Sequence, residues 1–160
     1  FTVFRPTLSD LVFKLPRGAQ VIYPKDLGAI LMLADIAPGV EVLESGVGSG
    51  ALSSAMLRAG AIVTGYELRE DFARRAQLNV ARAVGTEAAA RYTVELRDVY
   101  EGVEVPESGG FDRVVLDLPE RGGWCHICMV PCAPAASCWP TPPASCRPAG
   151  FGRRWGRRTW

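Results

Sequence analysis

Short apolar runs alternate with helix-length segments through most of the chain. Runs of apolar residues indicate buried strands, and apolar residues spaced three or four positions apart indicate a helix with one buried face. The predicted strands are residues 40–44, 61–67, 92–96 and 114–116, and the predicted helices between them are residues 51–59 and 72–83. Strands that alternate with helices in this way are typical of a parallel sheet with helices on both faces. We therefore predict an α/β fold.

Two more helical stripes precede the first strand. The stripe in residues 8–15 predicts a short amphipathic helix with Ser9 or Asp10 as its N-cap. Residues 27–34 predict a second helix that begins near Lys25, after a short apolar segment, residues 20–23, that Pro24 stops.

The first strand runs into a turn with glycine at every second position, Gly46, Gly48 and Gly50. Glycine adopts positive φ at little cost and lets a ligand approach the backbone closely. A dinucleotide site would have Gly-x-Gly-x-x-Gly and would hold a pyrophosphate at the helix N-terminus, but Ala51 stands where that pattern needs its last glycine. The turn is a candidate cofactor loop.

Each of the four predicted strands ends in an acidic residue or is followed by one within two positions: Glu44, Glu67, Asp98 and Asp117. In an open parallel sheet the ligand binds outside the carboxyl ends of the strands, near the point where the strand order reverses. Glu67 lies about twenty residues after Gly46, which suits a carboxylate that accepts from both hydroxyls of a ribose. We predict that these acids line one rim and that the site takes a nucleoside cofactor without a phosphate.

The composition of the chain changes near residue 120. Residues 1–120 carry 12 Lys and Arg against all 17 Asp and Glu, whereas residues 121–160 carry six Arg and no acid. The last forty residues also hold all five Cys, all four Trp and six of the twelve Pro. We divide the chain into an α/β domain, residues 1–120, and an atypical tail, residues 121–160, that we expect to be irregular or disordered.

Three segments together resemble the tRNA (adenine-N1)-methyltransferases that modify the T-loop adenine. They are residues 20–26 (Gln-Val-Ile-Tyr-Pro-Lys-Asp), 44–53 (Glu-Ser-Gly-Val-Gly-Ser-Gly-Ala-Leu-Ser) and 117–119 (Asp-Leu-Pro). The glycine segment alone resembles any Rossmann-like S-adenosylmethionine enzyme, but the combination is more specific. The resemblance implies a Rossmann-like class I methyltransferase with an incomplete sheet, S-adenosylmethionine as cofactor and tRNA as substrate and partner.

The resemblance also implies contacts between the cofactor and individual residues. The implied set is Ile22, Glu44, Gly46, Gly48, Ser49, Gly50, Ala51, Glu67, Phe72, Asp98, Val99 and Asp117. Within it, Glu67 would bind the ribose, and Asp98 with the backbone N–H of Val99 would hold the adenine. Phe72 stands five residues after the ribose acid, where its ring could cover the adenine face.

Asp117 is the residue that the resemblance places where the methyl group meets the target base. N1 of a neutral adenine is already a nucleophile, so methyl transfer needs in-line positioning more than proton removal. The methylated base gains positive charge, which a carboxylate near the exocyclic amine stabilises. We predict that Asp117 is the catalytic residue, and that the adenine leaves its stack to reach it.

The resemblance ends where Arg-Gly-Gly-Trp, residues 121–124, replaces the Pro-Trp of the family. Our first hypothesis is a reading-frame change in a GC-rich gene, because off-frame GC-rich codons yield Cys, Trp, Arg, Pro and Gly. A zinc module around Cys125 and Cys128 is one alternative, and RNA binding by the arginine pairs in residues 153–158 is another. We expect no bound metal.

Other readings of the whole chain stay open. A nucleotide-dependent oxidoreductase would bind NAD, and a truncated, non-catalytic chain would bind only the cofactor or a partner subunit. The bacterial and archaeal members of the family form homotetramers. Much of their interface region is missing here, so the resemblance does not lead us to expect a homotetramer of this chain. With no 18-residue apolar run and no signal sequence, we expect a soluble cytoplasmic protein without a membrane span.

Overall fold

The structure of the protein is a computed structural model that describes residues 3–4, 6–16, 20–104, 106, 109–119 and 125–131, with the backbone alone for 119 and 125–131. Its elements are α1 (Leu8–Lys14), α2 (Pro24–Leu33), β1 (Glu41–Ser45), α3 (Ala51–Arg58), β2 (Ile62–Glu67), α4 (Glu70–Val84), α5 (Thr86–Ala89), β3 (Tyr92–Leu96), a 3-10 turn (Val99–Glu101), β4 (Arg113–Pro119) and β5 (Cys125–Pro131). All helices and strands predicted within residues 1–120 are present. The short α5 and the 3-10 turn are additional.

The strands form one sheet in the order β3-β2-β1-β4-β5. The first four strands run parallel, with Val42 of β1 in register with Val63 of β2 and with Arg113 of β4. After β1, the chain adds β2 and then β3 on one side of that strand, and β4 then pairs with the other side of β1. The strand order reverses between β1 and β4, which is where a ligand site is expected in an open α/β sheet.

The strand β5 is a departure from the sequence prediction, which places no strand after residue 120. It pairs antiparallel with β4 from Arg113 opposite Pro131 to Pro119 opposite Cys125. Only residues 120–124 separate the two strands, and a parallel return would need a crossover of about a dozen residues or more. The apolar and β-branched residues of 127–130 suit a strand. We did not predict one there, because the surrounding sequence is rich in Cys, Trp and Pro.

The two faces of the sheet pack differently. Val42, Val63 and Val115 are fully buried on one face, in a cluster that includes Leu27 of α2 and Met56 of α3. The same cluster takes in Val12 of α1 and Val80 of α4, so the helices pack together over this face.

Leu43 and Tyr66 are buried on the opposite face with Val99 of the 3-10 turn. Val103 and Phe111 pack against this second cluster, so these residues cover that face together with Val99. We expected helices on both faces, and in the part of the chain that the structure describes the second cluster contains no α-helical residue.

Two helix starts differ in detail from expectation. Thr7, and neither Ser9 nor Asp10, is the N-cap of α1, because a capping box forms: the Asp10 N–H donates to the Thr7 hydroxyl at 3.2 Å, and the Thr7 N–H donates to the Asp10 carboxylate at 2.9 Å. Pro24 is the first residue of α2. Among the described residues, no helix is both long enough and apolar enough to cross a membrane.

Candidate functional site

The glycine turn, residues 46–50, joins the carboxyl end of β1 to α3 at the point of strand reversal. Gly46, Gly48 and Gly50 all have positive φ, at 88°, 51° and 80°. A Cβ at position 46 would overlap the backbone carbonyl oxygen of Asp117, so the turn lies directly against β4 and only glycine fits. On the other side, a Cβ at position 50 would lie 2.9 Å from a methyl carbon of Val80 on α4.

Hydrogen bonds to β2 and α4 hold the glycine turn in place. The Gly46 N–H donates to the Tyr66 carbonyl at 2.9 Å, and the Gly50 N–H closes the turn on the Val47 carbonyl at 2.8 Å. From α4, the Asn79 side-chain amide donates to the Ser49 carbonyl at 2.9 Å. The turn is thus fixed on both sides and presents its open side to a cleft.

That cleft lies between the glycine turn, β4 and the segment that precedes α2, and encloses about 220 Å³ of empty space, part of it open to solvent. Its lining residues are Gln20, Ile22, Glu44, Gly46, Val47, Gly48, Ser49, Ala51, Leu52 and Asp117. The cleft therefore brings together most of the cofactor residues predicted around the loop, with the predicted catalytic Asp117 at its edge. Gly50 closes the turn behind them.

Glu44 is only 1% exposed and forms part of the cleft wall. Ser53 Oγ lies 2.5 Å from Glu44 Oε2 and 3.1 Å from the hydroxyl oxygen of Tyr92. Because the Ser53 hydroxyl has a single proton, it can donate to one of these neighbours and must accept from the other. The three side chains form a buried chain of hydrogen bonds from β3 through α3 to the cleft.

Burial raises the pKa of Glu44 to about 8, and the nearby carboxylates of Asp117 and Glu67 add to the rise, while the bond from Ser53 opposes it. Burial likewise raises the pKa of Tyr92 above its ordinary value. Glu44 is thus mostly protonated at neutral pH. A cationic group placed beside it would favour the ionised form.

Glu67, the last residue of β2, accepts three backbone hydrogen bonds. The Gly48 N–H donates to it at 3.3 Å, the Leu68 N–H at 3.0 Å and the Arg69 N–H at 3.1 Å. These bonds hold the carboxylate beside the glycine turn, although Glu67 does not line the cleft itself. The contact of Glu67 with a ribose stays a prediction.

The predicted adenine residues lie farther along the rim, outside the cleft lining. Asp98 follows β3 and caps the 3-10 turn, where its Oδ1 accepts from the Tyr100 N–H at 2.8 Å. Val99 is 5% exposed and packs in the second cluster with Leu43. Their contacts with an adenine stay predictions.

Phe72 is buried in the first turn of α4, and cations cover its ring. The guanidinium carbon of Arg69 lies 3.9 Å from the ring centroid and that of Arg75 lies 5.6 Å from it. An adenine could stack on the face that Arg69 covers only after that side chain moves. The role of Phe72 as an adenine cover also stays a prediction.

Several residues of the site were not predicted from the sequence. Gln20, Val47 and Leu52 line the cleft, and the segments that carry the resemblance contain all three. Tyr92 reaches Ser53 from 39 positions away, which no local pattern reveals. Asn79 did leave a signal, because it is a polar residue on the otherwise apolar stripe of α4.

The tail hypotheses concern side chains of residues 121–160, which lie outside the described residues. Where side chains are described, no three His, Cys, Asp or Glu residues are grouped as metal ligands would be.

Known proteins are similar to this chain in sequence and in fold. The tRNA (adenine(58)-N(1))-methyltransferase TrmI of Thermus thermophilus is 37% identical over 122 residues, a match that covers 74% of this chain and 46% of that protein. The tRNA (adenine(57)-N(1)/adenine(58)-N(1))-methyltransferase TrmI of Methanocaldococcus jannaschii is 37% identical over 145 residues, covering 75% of this chain and 50% of that protein. The chain spans about half the length of these curated relatives.

Among solved structures, the tRNA (m1A58) methyltransferase TrmI of Aquifex aeolicus is similar with a TM-score of 0.63 and 31% identity, over 73% of this chain and 46% of that one. An S-adenosylmethionine-dependent O-methyltransferase of Thermotoga maritima gives a TM-score of 0.63 and 35% identity, over 72% of this chain and 42% of that one. These likenesses agree with the Rossmann-like methyltransferase fold.

A family match covers residues 2–128, and so extends past residue 120 into β5. It includes the glycine turn, Glu67 and Asp117. The chain belongs to the family described as the tRNA methyltransferase complex GCD14 subunit.

Proposed function

We propose that this chain is the cofactor-binding part of an S-adenosylmethionine-dependent methyltransferase that acts on N1 of a T-loop adenine in tRNA. The observation that carries the proposal is the cleft at the strand reversal, where the glycine turn lies against Asp117. Family membership supports the same reaction. A dinucleotide-binding loop would have Gly-x-Gly-x-x-Gly, in which the last glycine allows close packing of helix and strand, but this sequence has Ala51 at that position.

The described residues fit the amino-acid end of such a cofactor. A ligand can approach the backbone at Gly48, which lines the cleft and has no side chain of its own. The N-terminus of α3 favours a carboxylate, and Glu44 in the cleft wall suits an ammonium group. When bound, S-adenosylmethionine supplies a methyl group on a positively charged sulfur.

Glu67 would accept from the ribose hydroxyls, and Asp98 with Val99 would hold the adenine of the cofactor. Asp117 would face the target base, where its carboxylate accepts from the exocyclic amine and stabilises the charge that develops as N1 takes the methyl group. The target adenine would enter the site unstacked. The tRNA is the proposed partner, and we propose a cytoplasmic location.

Isothermal titration calorimetry on the 160-residue chain tests the cofactor class. We expect S-adenosylhomocysteine to bind and NAD to give no heat of binding. The Gly46→Ala variant is the control, because its added methyl overlaps the Asp117 backbone and should abolish binding. Binding of NAD without S-adenosylhomocysteine would contradict the proposal and favour an oxidoreductase.

A second measurement separates a working enzyme from a chain that only binds cofactor. Unmodified tRNA is incubated with the chain and S-adenosylmethionine, and N1-methyladenine in the T-loop is measured by mass spectrometry. We expect little or no turnover, because the elements that close the family's site beside the base are not recognisable in this sequence. Methylation of other tRNA positions with the T-loop adenine unmodified would contradict the proposed target.

A further inference from the structure

Asn79 is a polar residue in an apolar position. It lies on the stripe of α4 that also contains Ala76 and Val80, and it is 1% exposed. A buried amide is unfavourable unless its hydrogen-bonding groups find partners. Its Nδ2 donates to the backbone carbonyl of Ser49, at 2.9 Å, in the glycine turn. Asn79 does not line the cleft, so any effect on a ligand must pass through the turn.

The hydrogen bond from Asn79 restrains one particular peptide group. That peptide joins Ser49 to Gly50; its carbonyl accepts from Asn79, and its N–H donates to the Val47 carbonyl at 2.8 Å. Because a peptide group is planar, fixing both its oxygen and its nitrogen fixes its orientation. This peptide leads into Gly50, the N-cap residue of α3, so its orientation also affects the direction in which the first N–H groups of α3 point.

The next peptide is held from the helix side. The Gly50 carbonyl accepts from the Ser54 N–H at 3.0 Å and from the Ser54 hydroxyl at 2.7 Å. A Cβ on Gly50 would lie 3.1 Å from the Ala76 carbonyl oxygen, so α4 stands directly behind the turn. An apolar residue at position 79 would suit the packing of α4, but it could not donate to Ser49.

We propose that Asn79 is a positioning residue of the cofactor site. Its side-chain amide orients the Ser49–Gly50 peptide, and this orientation sets the affinity of the cleft for the amino-acid end of a nucleoside cofactor. The proposal rests on the function proposed above and adds a residue outside the cleft to it. Removing the donor leaves a buried carbonyl without its partner, for which we expect about a tenfold loss in affinity for S-adenosylhomocysteine.

The Asn79→Asp variant tests this with almost unchanged shape. An ionised Asp cannot donate to the Ser49 carbonyl, whereas a protonated Asp can. Affinity for S-adenosylhomocysteine is measured by calorimetry from about pH 8 down to about pH 5, and each value is divided by that of the original chain at the same pH and corrected for the folded fraction seen by circular dichroism. We expect the variant to bind about tenfold more weakly at the higher pH and to approach the original affinity at the lower pH.

The Val12→Ala variant is the control for a general loss of stability, since it removes buried volume on α1, far along the chain from the turn. We expect it to lose stability yet to keep its affinity after correction for the folded fraction. Hydrogen exchange in the absence of ligand gives a second readout. The Gly50 amide should exchange faster in Asn79→Leu, while amides of β1 keep their protection.

The outcomes distinguish a failure of the proposed function from a failure of the inference about Asn79. If the original chain binds no S-adenosylhomocysteine, the proposed function is wrong and the inference falls with it. If the original chain binds and Asn79→Asp binds equally well at every pH, the inference alone is overturned. Unchanged exchange at Gly50 in Asn79→Leu would also overturn it.

Discussion

Glu44 and Glu67 lie at the carboxyl ends of neighbouring parallel strands, yet their surroundings differ. Three backbone N–H groups donate to Glu67, which holds it as a fixed acceptor beside the glycine turn. Glu44 is buried, bonded to the Ser53 hydroxyl, and subject to two neighbouring acids. Two carboxylates of the same type are therefore suited to different roles, one as a hydroxyl acceptor and one as a group that exchanges a proton.

The raised pKa of Glu44 predicts a pH-dependent stability. The pKa is about 8 in the folded protein against an ordinary value of 4.5, so the folded state holds this proton more tightly than the unfolded state. The contribution of Glu44 to stability is complete below about pH 4.5 and is lost as pH rises to about 8. We expect Glu44→Gln, which stays neutral, to be more stable than the original chain at alkaline pH by up to roughly 4 kcal/mol.

Urea unfolding of both chains at a series of pH values measures this difference. Other ionising groups contribute equally to the two chains, so only the difference between their free energies of unfolding is interpreted. It should grow between about pH 4.5 and about pH 8 and then level off. A difference that stays constant across this range would contradict the predicted protonation of Glu44.

At the scale of elements, the glycine turn depends on a close contact at Gly46 that Gly28 lacks. Gly46 has positive φ and faces the backbone of β4, whereas Gly28 lies within α2 with no atom within 4 Å of where its Cβ would be. The two positions are a matched pair for the same chemical change. Comparing them separates the turn's specific requirement for glycine from the general effect of replacing glycine by alanine.

We expect Gly46→Ala to lose about 3 kcal/mol of stability, because a positive φ and an overlap with the Asp117 backbone both oppose the new methyl group. Gly28→Ala should instead gain roughly 0.5–1 kcal/mol, since alanine favours a helix interior over glycine. Thermal and urea unfolding measure both values. Equal effects at the two positions would show that the turn does not lie against β4 as described.

Periodicity predicted α1 to α4 and β1 to β4, because that signal is local, but it did not predict the short α5 or the 3-10 turn. Hydrogen bonds between residues far apart in the sequence could not be predicted. Asn79 bonds to Ser49 across 30 positions, and Tyr92 bonds to Ser53 across 39. The strand β5 was missed for a different reason. Its neighbours are rich in Cys, Pro and Trp, and that composition outweighed a short apolar run.

At the scale of the whole molecule, the sheet divides the described residues into two unequal clusters. The helical side has a large cluster that draws residues from α1, α2, α3 and α4. On the other side, the segment 99–104 and Phe111 supply the cover over Leu43 and Tyr66. Two contacts hold this segment down near Glu104, whose N–H donates to the Tyr66 hydroxyl at 3.1 Å and whose carboxylate pairs with Arg97 at 2.7 Å.

We expect Tyr66→Phe to loosen that cover without disturbing the helical side. The variant keeps the buried ring but removes the acceptor for the Glu104 N–H, at a loss of about 1 kcal/mol. Hydrogen exchange should become faster at Gly102, Val103 and Glu104, while β1 and α3 keep their protection. Uniform acceleration across the sheet would mean that the hydroxyl supports the whole fold.

The contact between Gly46 and the Asp117 backbone has a consequence for how this site could change during evolution or design. The glycine turn, which is the proposed cofactor loop, and the strand that carries the proposed base-facing acid are in direct contact, with no space between them. Neither can be moved outward alone, so a larger ligand has to be accommodated from the opposite wall. Gln20 and Ile22 line the cleft on that side. They are therefore the first positions to substitute in a search for altered cofactor specificity.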